Sequence, residues 1–249
     1  MKKLIILIGV LSFTFSCSED TLTDMNTDTK SPLVVPADAL LGNAEKNLFD
    51  QMTSTNVNTN VFRLFAQHWT ETTYLDESRY DILQRNIPDR HWRVIYRDIL
   101  TDLKKAKEIA NEIATVTPKE EKIKQNKIAI IEVLEVYTTS ILVDTFGDIP
   151  FSTQAPSSDV NFNLPKEDRN VILSSVIQDM INIEPKMKWA DQLPYGVEQV
   201  NREFTLGMIA RLSLQRGGYF LKPDMTMDRK SDYLNYYAIA RDYTKKLIT

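Results

Sequence analysis

The sequence predicts an all-α fold of tetratricopeptide-like helical hairpins with long irregular loops, and three observations support this. Apolar residues recur at three- and four-residue spacing through most of the chain after Asp38, the pattern of helices that bury one face. Start and stop signals bracket these stretches. Pro118 follows Thr117 as a first-turn proline, while Gly147, Pro150 and the pair Gly217-Gly218 close the patterns that precede them. Two of the longest patterns are joined by only a few residues, which makes them an antiparallel pair.

A chain of 249 residues can hold one large domain or two small ones, and it buries most of its apolar surface without disulfides. A net charge of −4 and a pI near 5.4 argue against a nucleic-acid partner held by a basic face. Lys2 and Lys3 precede a mostly apolar run from Leu4 to Phe15, too short to span a bilayer comfortably, so residues 1–16 read as an export signal. Cys17, the sole cysteine, falls at the end of that signal and resembles the lipobox cysteine of bacterial lipoproteins, which becomes the acylated first residue. Multiple acyl chains would hold the protein stably on a membrane and leave no thiol for a disulfide, a zinc site or a nucleophile.

Thr21 to Pro36 is rich in Thr, Asp, Asn and Pro and reads as an extended tether. Asp24, Asn26 and Asp28 begin like a calcium loop, but Thr29 stands where the turn needs glycine and Val35 where the bidentate glutamate belongs. The expected organisation is a signal over 1–16, a lipidated N-terminus and tether over 17–36, and a helical domain over 37–249.

Asp38 is placed to cap a first helix over about Ala39 to Met52, with Leu40, Ala44, Leu48 and Phe49 on its apolar side. A second pattern covers about Val57 to Trp69 and presents Val61, Leu64 and Phe65. Thr70 to Arg90 is aromatic and without clear period, as functional loops are. Trp92, Ile95, Tyr96, Ile99, Leu103, Ala106 and Ala110 then mark one face up to about Ala114. Beyond Pro118, Ile123, Ile130, Leu134, Tyr137 and Ile141 lead to a corner over Asp144 to Phe151.

The helical period returns from Lys166 to Lys188, with Val171, Ile172, Val176, Ile177, Met180 and Ile181 on a broad apolar face and Pro185 ending or kinking it. Leu193 to Val200 is a loop. A further helix carries Phe204, Met208, Ala210, Arg211, Leu214 and Tyr219 and is closed by Gly217-Gly218. The last, Tyr233 to Ile248, offers Leu234, Tyr237, Ala238, Ala240 and Leu247 to a partner, which is expected either in a longer protein or, if this is a capping helix, in the earlier helices on which it docks. Ala210, Ala238 and Ala240 are small enough to let neighbouring helices approach closely.

The two histidines, His68 and His91, have no neighbour at metal-ligand spacing, and each adjoins a tryptophan, which favours packing or capping. No nucleophile elbow, phosphate-binding glycine loop or dinucleotide fingerprint is present, so no cofactor or metal is expected. Asp144 and Asp148, with Glu71, Asp76 and Glu77, leave open a secreted, lipid-anchored glycan-hydrolysing enzyme working through two carboxylates. The aromatic segment is more informative: Trp69, Tyr74 and Tyr80, with Arg79 beside them, offer flat rings with polar edges for stacking on a sugar or a peptide side chain. Trp92, in helical phase with Ile95 and Tyr96, reads as core.

Cys17, the Asn26-Thr27-Asp28 tether leading to Pro36 and Leu40-Leu41, the His91-Trp92-Arg93-Val94-Ile95-Tyr96 helix start and Val143 to Phe151 together resemble the N-terminal half of SusD/RagB-like outer-membrane lipoproteins. Phe146-Gly147-Asp148-Ile149-Pro150-Phe151 is the most specific element, and Ala210-Arg211-Leu212 within Leu206 to Leu221 resembles a later helix of that family. The resemblance spans essentially the whole chain but about half of a usual member. It implies a surface-exposed, non-catalytic nutrient-binding lipoprotein without cofactor, which delivers oligosaccharides, or peptides in some members, to a SusC-like TonB-dependent transporter. In this resemblance Phe146, Gly147, Asp148 and Pro150 are structural.

Overall fold

The computed structural model describes residues 35–54, 62–72, 77–80, 89–152, 164–222 and 224–249. Cys17, the tether as far as residue 34 and Tyr74 lie outside them, as do Asp24, Asn26 and Asp28 of the calcium-loop mimic and Asp76. Pro36–Thr249 forms one compact unit. Among the described residues it is all-α apart from two short antiparallel strand pairs, and no helix there is long and apolar enough to cross a membrane.

Helix α1, Ala37–Thr53, starts two residues earlier than its apolar pattern suggests. Pro36 precedes it without a side-chain cap, and Asp38 lies in the first turn, 2.6 Å from Lys127 Nζ, instead of capping. Its carboxylate there still faces the positive end of the helix dipole. The helical pattern expected up to Trp69 stops earlier. Leu64 is buried, but the backbone turns over 65–68, where Gln67 takes φ 55° and His68 is exposed. A left-handed residue ends the helical hydrogen-bond ladder.

The next helix begins with two π-helical stretches, Asp89–Arg93 and Ile95–Leu100, and continues as α2, Thr101–Glu112. Helix α3, Pro118–Phe146, opens with a capping box: Thr117 Oγ1 accepts from Glu120 N–H, and the Glu120 carboxylate accepts from Thr117 N–H. Lys124 Nζ donates to the carbonyls of Asn111 and Ile113, Lys107 pairs with Glu135, and His91 lies beside Thr145. Ascending numbers on α3 thus meet descending numbers on α2, as an antiparallel hairpin requires.

The apolar stripe read for α3 is too narrow. Ile123 is 48% exposed, while residues from Ile128 to Val143 are buried on nearly every side. The helix is packed by α2 and by two later helices, α4 (Arg169–Ile183) and α5 (Arg202–Gly217), so it runs through the core rather than along its edge. A helix apolar all round is a core helix.

After α3 the chain turns sharply. Strand β1, Ile149–Pro150, pairs antiparallel with β2, Lys166–Glu167, in the register Ile149↔Glu167 and Pro150↔Lys166. Lys166 and Glu167 are therefore strand, not the first turn of a helix. Asp168 caps α4 by accepting from Asn170 and Val171 N–H, and Pro185 sits in a 3₁₀ turn, Glu184–Lys186, that ends it. Val171, expected in the core, is exposed.

Helix α5 is capped by Asn201, and its buried side is Leu206, Ile209, Leu212, Ser213 and Arg216; Arg211 and Leu214 face solvent, and Tyr219 lies beyond the helix. A small hairpin of β3 (Phe220–Leu221) and β4 (Met227–Asp228) leads to α6, Tyr233–Ile248. Ala210 and Ala240 are both buried between these last helices, and a Cβ on Gly217 would stand 3.1 Å from Tyr233 O and 2.7 Å from the Tyr237 ring. Leu234 and Ile248 remain exposed on α6, whereas Tyr236, Ile239 and Tyr243 reach the core.

Candidate functional site

Two sequence features stand far apart in the chain yet meet in space. The helix start His91–Tyr96 packs on the corner Phe146–Ser152. Trp92 meets Phe146 edge-on at 5.0 Å and Tyr96 at 4.8 Å, and His91 lies 5.8 Å from Phe146. The Tyr96 hydroxyl donates to Pro150 O at 2.6 Å, and Lys104 Nζ donates to Ser152 O at 2.5 Å. Burial holds the Tyr96 phenol well above its ordinary range, so it stays a donor.

Within the corner, Gly147 N–H closes α3 on Val143 O, and Asp148 Oδ1 accepts from Arg169 N–H at 2.9 Å, at the start of α4. Ile149 is buried. Gly147 takes φ 74° and ψ −118°, a positive-φ conformation outside the left-handed helical well expected for a helix cap. Nothing lies within 4 Å of a Cβ added there, so the constraint is the backbone and not space. Gly147→Ala is therefore expected to cost about 1–3 kcal/mol in urea denaturation; an unchanged midpoint would show that the corner tolerates another conformation.

This geometry leaves little for acid–base work. Asp148 is engaged with α4, and Asp144 Oδ1 accepts from Gln215 Nε2 at 2.7 Å. Among the described residues no group of His, Cys, Asp and Glu is arranged to hold a metal ion. His91 is fully buried, as packing requires, whereas His68 is exposed rather than packed.

Of the residues singled out as ligand contacts, Trp69, Arg79 and Tyr80 are described, and all three are exposed. Trp69 is 53% and Tyr80 52% exposed, and Arg79 is exposed beside them. The segment is held by contacts that periodicity does not reveal. The Arg63 guanidinium sits 4.1 Å over the Trp69 ring, and the Phe65 and Tyr80 rings stand 6.1 Å apart. The Tyr80 hydroxyl donates to Phe65 O at 2.9 Å, and Glu71 N–H donates to Ser78 Oγ. Tyr80 takes φ 60°, in the left-handed region. Glu71 Oε2 is buried without a hydrogen-bond partner. The result is a partly pinned aromatic surface with cationic and acceptor groups at its margin, chemistry suited to a polar ligand that also has flat apolar faces. Arg63, which periodicity does not single out, and Phe65, expected on the buried face of a helix, are what hold it.

The described residues thus form an all-α array of hairpins that carries an exposed aromatic surface segment. The chain belongs to the SusD-like family: residues 28–183 match the family described as "Starch-binding associating with outer membrane". Its fold is similar to that of a SusD superfamily protein from Bacteroides thetaiotaomicron, with a TM-score of 0.65 at 14% identity over 85% of this chain and 46% of the other. A SusD-like carbohydrate binding protein from Bacteroides vulgatus gives 0.62 at 12% identity over 86% and 45%. A laminarin binding SusD-like protein gives 0.54 at 14% identity over 73% and 40%. The chain thus spans less than half the length of these solved structures. No curated protein matches the sequence.

Proposed function

We propose that this chain is part of a cell-surface nutrient-binding lipoprotein, anchored to the outer membrane through Cys17, that captures oligosaccharides, or peptides, and passes them to a SusC-like TonB-dependent transporter. It performs no covalent step. The observation that carries this reading is membership of a family described as starch-binding and associating with the outer membrane. The exposed rings of Trp69 and Tyr80, with Arg79 and Tyr74 in the same segment, supply the kind of surface on which a sugar face stacks while its hydroxyls reach polar groups.

Incubating the protein with starch-derived oligosaccharides tests the reading. Retention without new reducing ends is expected, and Trp69→Ala should weaken it about tenfold, roughly 1.4 kcal/mol. Release of reducing ends would favour the glycan-hydrolysing alternative instead. Cys17→Ala should free the protein from membranes, and unchanged membrane retention would refute the anchor.

A further inference from the structure

A pocket of about 190 Å³ opens between α2, α3 and α4, beside the corner. That is well above the roughly 10–15 Å³ that one enclosed water needs. Lys104 and Lys107 enter it from α2, Glu132 and Glu135 from α3, Asp179 from α4 and Lys186 from the turn that follows. Phe151 lines it, with Val176 among the apolar residues of the wall. Three ammonium groups against three carboxylates leave the pocket without net charge.

Its hydrogen-bonding capacity is only partly used. Lys107 Nζ pairs with Glu135 Oε2 at 2.5 Å, and Lys104 Nζ is engaged by Ser152 O. Glu135 Oε1 is buried with no hydrogen-bond partner. No hydrogen bond or ion pair ends on Glu132, Asp179 or Lys186 among the described residues. Burial raises the carboxyls of Glu132, Glu135 and Asp179 above their ordinary range and lowers the Lys104 ammonium. Charged groups gathered in a cleft, one of them with a buried carboxylate oxygen that has no partner, make the pocket a candidate ligand site.

We propose that this pocket is a binding site for a neutral polyhydroxy compound the size of one sugar ring. A phosphate or carboxylate ligand would meet three carboxylates, and a free cation would meet three ammonium groups. A polyol meets neither penalty. Its hydroxyls donate to carboxylate oxygens and accept from the ammonium of Lys186, and its C–H face lies against the Phe151 ring. A small movement of the Glu135 side chain brings its unpaired oxygen to such a hydroxyl. The site is built from helices and does not depend on the aromatic surface of Trp69 and Tyr80.

The test is titration of the full chain with D-glucose and myo-inositol, and with glucosamine and glucose 6-phosphate as charged counterparts, read by calorimetry and ligand-observed NMR. At least one neutral compound should saturate a single site with a Kd on the order of 1 mM. Glu135→Gln should weaken it at least tenfold and Trp69→Ala should leave it unchanged. Asp179→Asn, which keeps the Lys107–Glu135 pair, should weaken it at least threefold, and it serves if Glu135→Gln fails to fold. Absence of saturation by both neutral compounds, tighter binding of a charged counterpart, or full affinity in a folded Glu135→Gln or Asp179→Asn protein would overturn the proposal. Loss of oligosaccharide retention in Trp69→Ala with polyol binding intact would separate this site from the surface proposed above, whichever of the two fails.

Discussion

Arg216→Met is expected to cost about 2 kcal/mol and to lower the melting temperature by roughly 4–8 °C. Arg216 is only 6% exposed, at the end of α5. Its Nε donates to Asn170 O at 3.0 Å and Ser174 Oγ at 2.8 Å, both on α4. Its Nη1 and Nη2 donate to the two oxygens of Asp232 at 3.2 and 3.0 Å, at the start of α6. The guanidinium also lies 4.4 Å over the Tyr236 ring, whose hydroxyl donates to Ser174. One side chain thus ties three helices.

Methionine keeps the packing of the stem but unpairs Asp232 and removes the guanidinium from Ser174 Oγ, while the Asn170 carbonyl keeps the Ser174 hydroxyl as donor, so the loss comes from the broken ion pair and lost hydrogen bonds more than from volume. Arg216→Lys should recover less than half of the stability, because a point charge cannot serve α4 and Asp232 at once. Thermal and urea melts check both. A lysine protein as stable as the parent would show that charge alone matters there.

The second large effect is on pH. His91 is fully buried, and burial lowers its ring to about 4. Its tautomer follows from its neighbours. The Thr145 hydroxyl donates to Ile141 O, so His91 Nε2–H must donate to Thr145 Oγ1 at 3.4 Å, and Nδ1 accepts from Gln51 Nε2 at 3.2 Å. A second proton on Nδ1 would face another donor. The unfolded chain binds that proton near pH 6.5 and the folded one near 4, so the unfolded state gains as pH falls between them. His91 should therefore remove about 3 kcal/mol of stability as pH drops from about 6.5 to about 4, with no contribution to the slope above that window.

The raised carboxyls of Glu45, Glu132, Glu135 and Asp179 act with the opposite sign, since they bind protons more readily when folded. The measurement is consequently a difference: chemical denaturation of the parent and of His91→Gln across pH 4 to 7. The parent should lose more stability than the variant on acidification. Parallel pH profiles would mean that His91 titrates normally.

What could be read in advance follows from how local each cause is. Thr117, Pro118 and Glu120 sit within one turn, so the start of α3 was legible in the sequence, and Gly147 marked its end for the same reason. The burial of α3 on nearly every side was not, because it depends on α4 and α5, whose positions no residue of α3 encodes. The strand character of Lys166–Glu167 depends on Ile149 and Pro150 on the far side of a long connection. In the aromatic segment the exposed rings could be picked out singly, but the Arg63–Trp69 and Phe65–Tyr80 contacts arise from positive-φ residues that break the period. The charged pocket was invisible for a related reason. Its lysines and carboxylates come from successive helices, and along the chain each looks like an ordinary surface charge.

The π-helical stretch before α2 bears on how the corner is held. Each wide turn accommodates one residue more than an α-turn and so advances the side-chain phase by about 100°. His91, Trp92 and Tyr96 are thereby set on a different angular sector from the one that a continuous α-helix projected backwards from Leu103 and Ala106 would give them. The segment works as a phase adapter. Downstream of it the helix is indexed to its antiparallel neighbour, and upstream to the bend that follows that neighbour, so one rod serves two surfaces whose orientations are not related by the helical repeat.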